Sequence, residues 1–143
     1  MEGYWRLSSR ASAKLEAALA RWRDSDIRRE AIGHGLVRAE VPFFSAAESR
    51  FGSYVEGAID LLATDAGSSG ALVVDYKTGD VGLSTDQIRA RHEMQANFYA
   101  SVLMRQGFSS VECAFVCVEL DDGNGQPVVV RYEFGEGSLP RMG

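Results

Sequence analysis

The chain has 143 residues, of which 45% are hydrophobic, and it carries a formal net charge of −5 at pH 7. This length suits one domain with its own core, and the hydrophobic content argues against intrinsic disorder. No apolar run is long enough to cross a membrane, and the N-terminus lacks the profile of a signal peptide, so we expect a cytoplasmic protein. The acidic balance argues against tight binding of polyanions by this chain alone.

The first half of the chain predicts one helix and three strands. Apolar residues recur at helical spacing over residues 9–23, and the charged run at 23–30 predicts a solvated helix end or a loop. Strands are predicted at 36–44, 51–63 and 71–77. The third strand is apolar on both faces, which is typical of a central strand.

The alternation of the second strand predicts which face each of its residues occupies, because successive side chains point to opposite faces. One face would carry Phe51, Val55, Ile59 and Leu61, and the other would carry Tyr54, Glu56 and Asp60. Glu56 is therefore a rival of Asp60 as a functional carboxylate.

The second half of the chain predicts a long helix followed by two strands. Ser84 and Gln87 have the spacing of a capping box, and the helix that they begin is expected to run to about Arg105. The strands are predicted at 111–120 and 128–134. A helix between the third and fourth strands allows a crossover, so we expect an α/β fold with a central mixed sheet flanked by helices.

Two of the predicted strands each carry a carboxylate that could face one shared site. Asp75 and Lys77 lie two residues apart and so point to the same face of their strand, while Asp60 lies on the strand before. We expect Asp60 and Asp75 to bind a hard divalent cation, Mg²⁺ or alternatively Mn²⁺. Lys77 would position an attacking water or stabilise the charge that develops on a phosphate.

Three residues spaced by four share one face of the long helix, namely Arg91, Gln95 and Tyr99. A guanidinium, an amide and a phenol on one stripe can contact phosphate oxygens and a nucleobase without reading sequence, so this face is a candidate nucleic-acid contact. The alternative is that Tyr99 is an ordinary core residue with Gln95 as its neighbour.

Three pieces of sequence occur in a characteristic order: Gly57-x-x-Asp60, Asp75-Tyr76-Lys77-Thr78-Gly79 and Gln95-x-x-x-Tyr99. Together they resemble the RecB-like branch of the PD-(D/E)XK nuclease superfamily. Glu40 is similar to the glutamate that opens the nuclease core of AddA-type helicase–nuclease subunits. The resemblance implies a restriction-endonuclease-like fold, with the backbone carbonyl of Tyr76 and the side chain of Glu40 as further metal ligands.

The resemblance also divides the chain. It implies an N-terminal helical segment at 1–35, a nuclease core at 36–135 and a tail at 136–143. The family's metal-binding histidine lies on a helix before the core and has no match here, since His34 lies in a Gly-His-Gly turn. We therefore expect the chain to begin after that helix.

The function that the resemblance implies is Mg²⁺-dependent hydrolysis of DNA, by a helicase–nuclease acting in double-strand-break resection and recombinational repair. Its expected partners are DNA, the helicase domains of a longer parent chain and an AddB-type subunit. The sequence contains no Gly-x-x-x-x-Gly-Lys motif, so we expect no ATP site in this chain. An iron–sulfur cluster needs four cysteines, and the chain has two, Cys113 and Cys117. Two alternatives stay open: a DNA-binding or assembly module that does not cleave, and a stand-alone endonuclease of the same fold.

Overall fold

The computed structural model describes residues 9–45, 55–137 and 139–140, which form three helices and one five-stranded sheet. The helices are α1 (Ser9–Arg23), α2 (Asp26–Ile32) and α3 (Thr85–Arg105). The strands are β1 (Leu36–Ser45), β2 (Val55–Thr64), β3 (Gly70–Lys77), β4 (Ser110–Asp121) and β5 (Pro127–Phe134). They lie in the order β1-β2-β3-β4-β5, antiparallel throughout except for the parallel pair β3 and β4. The predicted α/β fold with a central mixed sheet is confirmed.

The sheet lies between two helical layers because its inner strands are apolar on both faces. In β3, Ala71 and Val73 pack in one cluster with α3, whereas Leu72 and Val74 pack in another with α2. We call these clusters the α3-side core and the α2-side core. Burial of apolar side chains on both faces of the sheet supplies the main driving force for this layered arrangement.

Helix α3 provides the crossover that makes β3 and β4 parallel. It begins with the predicted capping box. The Ser84 hydroxyl accepts a hydrogen bond from the backbone N–H of Gln87 at 3.2 Å, and the side-chain oxygen of Gln87 accepts one from the backbone N–H of Ser84 at 2.8 Å. It ends at Arg105, as the sequence predicts. Although α3 has 21 residues, no helix in the described part of the chain is apolar enough to cross a membrane.

The expectation of a loop or helix end at residues 23–30 is wrong, because most of this run forms α2. Ser25 caps the helix by accepting a hydrogen bond from the Arg28 amide at 3.1 Å. Ile27 and Ala31 are buried in the α2-side core. Two apolar residues spaced by four are enough to dock a short helix whose other positions are mostly charged.

The expectation that Ile59 and Leu61 share one face of β2 is also wrong. Ile59 packs in the α3-side core and Leu61 in the α2-side core. The same exchange occurs in β1, where Val37 packs against the α2-side core and Val41 against the α3-side core. A regular strand would place both members of each pair on one face, so both strands rotate between these positions.

Some sequence-based expectations fall outside the described part of the chain. Phe51 and Tyr54 lie there, as do the side chains of Val55 and Glu56. So do residues 138 and 141–143 of the expected tail.

Candidate active site

Three carboxylates occupy one row across the first three strands. The β1–β2 register pairs Ala39 with Leu61 and Val41 with Ile59, so Glu40 and Asp60 occupy the facing positions between these two pairs. The β2–β3 ladder ends one position earlier, at Leu61 and Val74, and the next position in its register holds Asp60 and Asp75. Asp60 and Asp75 therefore meet where β2 and β3 separate, which is also where β1 and β2 rotate.

Asp60 holds the separated end of β3 through a hydrogen bond to its backbone. The Asp60 Oδ2 accepts from the Tyr76 amide at 2.8 Å, in place of the carbonyl partner that the ladder no longer supplies. The Tyr76 ring packs edge-on against Trp22, with 4.8 Å between the ring centroids. The backbone between Asp75 and Lys77 is therefore restrained from two directions.

Asp75, Lys77, Gln95 and Tyr99 form a closed set of polar contacts, which we call the polar network. Lys77 Nζ lies 3.5 Å from Asp75 Oδ1 and donates to Gln95 Oε1 at 2.6 Å. Gln95 Nε2 donates to the Tyr99 hydroxyl at 2.8 Å, and this hydroxyl donates to Asp75 Oδ2 at 2.8 Å. Each side chain restrains the next, and the network joins β3 to α3.

The polar network arises from two different periodicities. Asp75 and Lys77 share a face of β3 because they are two residues apart. Gln95 and Tyr99 share a face of α3 because they are four residues apart. The crossover brings that helical face over the end of β3, so that the two pairs meet.

Burial raises the pKa values of two members of the polar network, Asp75 and Tyr99. Asp75 is 5% exposed, and loss of solvation raises the pKa of its carboxyl group above the ordinary value. The Tyr99 hydroxyl and the Lys77 ammonium act in the opposite direction, whereas the charge of Asp60 adds to the rise in the Asp75 pKa. Burial, together with the charge of Asp75, also raises the pKa of Tyr99. The phenol therefore stays protonated and can donate to Asp75.

Arg91, expected to share a site with Gln95 and Tyr99, bonds to Asp80. Its Nη1 donates to Asp80 Oδ1 at 3.0 Å and to the Gly79 carbonyl at 3.4 Å. The Arg91 side chain is still 54% exposed, so the rest of the guanidinium faces solvent.

Asp80 is a buried acid that the sequence does not single out. It lies in the loop after β3 and is 2% exposed. A loop aspartate is ordinarily solvated, so no local pattern indicates that this one is enclosed.

Glu40 and His34 lie apart from the polar network. Glu40 is exposed and has a φ of 51°, a left-handed conformation that is strained for a glutamate and that glycine adopts freely. His34 Nδ1 lies 2.7 Å from Asp65 Oδ2, in the turn before β3 and therefore at the opposite end of that strand from Lys77. His34 is thus remote from the row of acids.

The two cysteines are buried free thiols on β4. Burial raises the pKa of Cys117 to about 12 and also raises the pKa of Cys113. Thiols that stay protonated are poor nucleophiles and poor metal ligands.

The acids that meet at the end of β3 fit a hard divalent cation held by two carboxylates. Within the described ranges, no group of three or more His, Cys, Asp or Glu side chains is placed to hold a metal. Mg²⁺ is commonly bound by one or two carboxylates, with water and substrate phosphate completing its shell. The charge of Asp60 contributes to the raised pKa of Asp75, and a cation between the two would offset that repulsion.

The sequence pattern of the PD-(D/E)XK nuclease superfamily matches residues 4–133. The chain therefore belongs to this superfamily, and its mixed sheet flanked by helices is the restriction-endonuclease-like fold that the motifs predict. No curated protein matches the chain at a significant level.

Two solved structures are similar to the chain. The structure of SSO0001 is 15% identical with a TM-score of 0.45, and the match covers 90% of this chain and 53% of that one. A "Putative exonuclease" from Eubacterium rectale is 13% identical with a TM-score of 0.50, and the match covers 87% of this chain and 46% of that one. At this identity the second likeness concerns the fold alone. The chain spans about half the length of each structure.

Replacing Asp75 by asparagine should stabilise the metal-free protein at neutral pH. Folding raises the pKa of Asp75, so the folded state binds this proton more tightly than the unfolded state does. The wild type should lose stability relative to Asp75→Asn as the pH rises from the unfolded-state pKa, about 3.9, through the folded-state value. Urea unfolding with a chelator, below and above this window, would measure the difference.

Asp24→Asn serves as the matched control, because the Asp24 side chain is 71% exposed. It shows how far replacing a solvated aspartate by asparagine changes stability by itself. If Asp75→Asn is less stable than the wild type at neutral pH, the contacts with Tyr99 and Lys77 outweigh the cost of burying Asp75.

Two substitutions at Glu40 should separate backbone strain from metal binding. Glu40→Gly should raise the free energy of unfolding by about 1 kcal/mol, because glycine adopts a φ of 51° without strain, whereas Glu40→Gln keeps the strain. If Glu40 is a metal ligand, both variants should bind Mn²⁺ more weakly in calorimetry. Unchanged Mn²⁺ affinity in Glu40→Gln would remove Glu40 from the ligand set.

Proposed function

We propose that this chain is a nuclease domain that hydrolyses phosphodiester bonds of DNA with Mg²⁺ as its cofactor. The polar network carries this proposal, because it holds Asp75 and Lys77 side by side at the end of β3, with Asp60 on the adjoining strand. Membership of the superfamily supports nuclease activity in general. DNA as the substrate and Mg²⁺ as the metal are our proposals.

Asp60 and Asp75 would hold the cation, with the backbone carbonyl of Tyr76 as a further oxygen ligand and Glu40 as an additional one. When bound, Mg²⁺ polarises a phosphate and lowers the pKa of coordinated water. The Asp60 bond to the Tyr76 amide contributes by fixing the peptide that precedes the Tyr76 carbonyl. The Tyr99 hydroxyl contributes by orienting the Asp75 carboxylate.

Lys77 would stabilise the negative charge that develops on the phosphate, or would orient the attacking water. Its ammonium group has three donors, of which one bonds Gln95 and one faces Asp75, so one donor is left for the substrate. Because the Lys77 ammonium group is already held in place at a site with little solvent, it needs little reorganisation during the reaction. The Lys77 side chain is 19% exposed.

The helix face of Arg91, Gln95 and Tyr99 would have two tasks. Tyr99 is 4% exposed, so its proposed task is to hold Asp75 rather than to stack on a base. Gln95 keeps a second amide hydrogen, and Arg91 keeps an exposed part of its guanidinium. We propose that Gln95 and Arg91 contact the DNA backbone, which positions the strand without reading its sequence.

The wider context is that of an AddA-type helicase–nuclease subunit, which would act with an AddB-type partner in double-strand-break resection in the cytoplasm. The motif resemblance supports this assignment, and so does the net charge of −5, which gives the chain little affinity of its own for DNA. Helicase domains of a longer parent chain would then deliver the strand to Asp60 and Asp75.

Replacing Lys77 by alanine should lower cleavage of linear DNA by at least about 100-fold, because it removes a positioned charge from the transition state. Lys14→Ala is the matched control, since Lys14 is exposed and is the only other lysine of the chain. Cleavage would be followed in the parent protein with Mg²⁺ or Mn²⁺. Near-normal cleavage by Lys77→Ala would remove Lys77 from the mechanism.

Calorimetry with Mn²⁺ on the same Lys77→Ala protein distinguishes the loss of a catalytic group from the loss of the metal. Lys77→Ala should bind Mn²⁺ as well as the wild type or better, because a nearby positive charge is gone. Asp60→Asn and Asp75→Asn should instead weaken binding by at least about tenfold. A wild type that binds Mn²⁺ and DNA but cleaves neither strand would favour the alternative of a non-cleaving DNA-binding or assembly module.

A further inference from the structure

A second polar cluster is centred on Asp80, in the loop that follows strand β3 of the proposed active site. Asp80 Oδ1 accepts a hydrogen bond from Arg91 Nη1 at 3.0 Å. Its Oδ2 lies 3.0 Å from His92 Nε2 and 3.7 Å from Cys117 Sγ. A carboxylate that is 2% exposed is unfavourable unless such partners compensate, so these contacts hold the loop after β3 against α3.

The Phe115 ring connects this cluster to the polar network. The His92 ring stacks on Phe115, with 5.3 Å between the centroids and 12° between the planes. Lys77 Nζ lies over the same ring, 5.4 Å from its centroid, and the Tyr99 ring lies 6.5 Å away at 18°. Phe115 is fully buried and is the register partner of Asp75 in β4. One aromatic ring thus contacts groups from both clusters.

We infer that Asp80 and His92 are positioning residues for Lys77, acting through Phe115. Asp80 holds His92 by its Nε2, and the stacked His92 ring in turn fixes the plane of Phe115. The ammonium of Lys77 is attracted to the face of that ring, so the plane of Phe115 decides where Nζ comes to rest. The catalytic consequence rests on the proposed function, whereas the position of Lys77 can be measured without any cleavage.

Lys77 needs this second support because its side chain is long and flexible. The hydrogen bond to Gln95 restrains Nζ from the helix side, and the ion pair with Asp75 restrains it from within β3. The Phe115 face, on the neighbouring strand β4, adds a restraint that neither of these polar contacts supplies. If Asp80 and His92 only anchored the loop after β3, altering His92 would leave the position of Lys77 Nζ unchanged.

NMR of the whole chain, labelled with ¹³C at the lysine Cε atoms, reports the position of Lys77. The sequence contains two lysines, so the spectrum has two signals, and exposed Lys14 is an internal reference. The Phe115 ring current should separate the Lys77 signal from that of Lys14. His92→Ala should move the Lys77 signal most of the way toward that of Lys14, and Asp80→Asn should move it part of the way.

Two further variants distinguish a specific displacement of Lys77 from a general loss of structure. His92→Phe keeps a ring that can stack on Phe115 and should restore most of the wild-type shift. Arg91→Gln removes a different partner of Asp80 and should leave the Lys77 signal in place. An unchanged Lys77 signal in His92→Ala, or an equal displacement in Arg91→Gln, would overturn the positioning role.

Kinetics of the parent enzyme add a second measurement. His92→Ala should lower kcat for DNA cleavage by about tenfold with KM unchanged, and His92→Phe should recover most of the loss. A rise in KM with unchanged kcat would contradict positioning of Lys77. Absence of cleavage by the wild type would contradict the proposed function, and the lysine spectra would still decide whether Asp80 and His92 position Lys77.

Discussion

The burial of the Asp75 carboxylate at the end of β3 is the constraint on which the site depends. A carboxylate removed from water needs donors or a cation close to it. Tyr99 donates to one of its oxygens and Lys77 lies beside the other, while Gln95 holds both of these partners. Helix α3 must therefore lie over the end of β3, which is the position that a crossover between parallel strands provides. The chemistry and the topology of the sheet are thus linked through one side chain.

The end of regular strand pairing is the second requirement. The β2–β3 ladder stops before Asp60 and Asp75, and the Asp60 side chain then bonds the Tyr76 amide. Strand β1 contributes the strained residue Glu40 at the same row. If the strands stayed paired, the backbone of β2 would bond the backbone of β3, and the Tyr76 N–H would not require the Asp60 side chain as its acceptor. The opening between the strands therefore brings a side chain, rather than a carbonyl, to the site.

Local patterns predict those elements whose signals lie within a few residues of one another. The Ser84–Gln87 capping box predicts the start of α3, and the continuous apolar run of β3 predicts its central place. Helix α2 is hidden from such reasoning because its charged positions outnumber Ile27 and Ala31. The faces of Ile59 and Leu61 are hidden too, since the rotation of β2 occurs jointly with β1.

The same distinction applies to the proposed site. Spacing alone places Asp75 with Lys77 on one face of a strand, and Gln95 with Tyr99 on one face of a helix. Only the tertiary structure decides that these two pairs close into one network, that Asp80 is buried, and that His92 and Lys77 contact a common ring. The physical reason is that backbone periodicity determines which side chains share a face of one element. Which faces then meet depends on packing between segments that are distant in sequence.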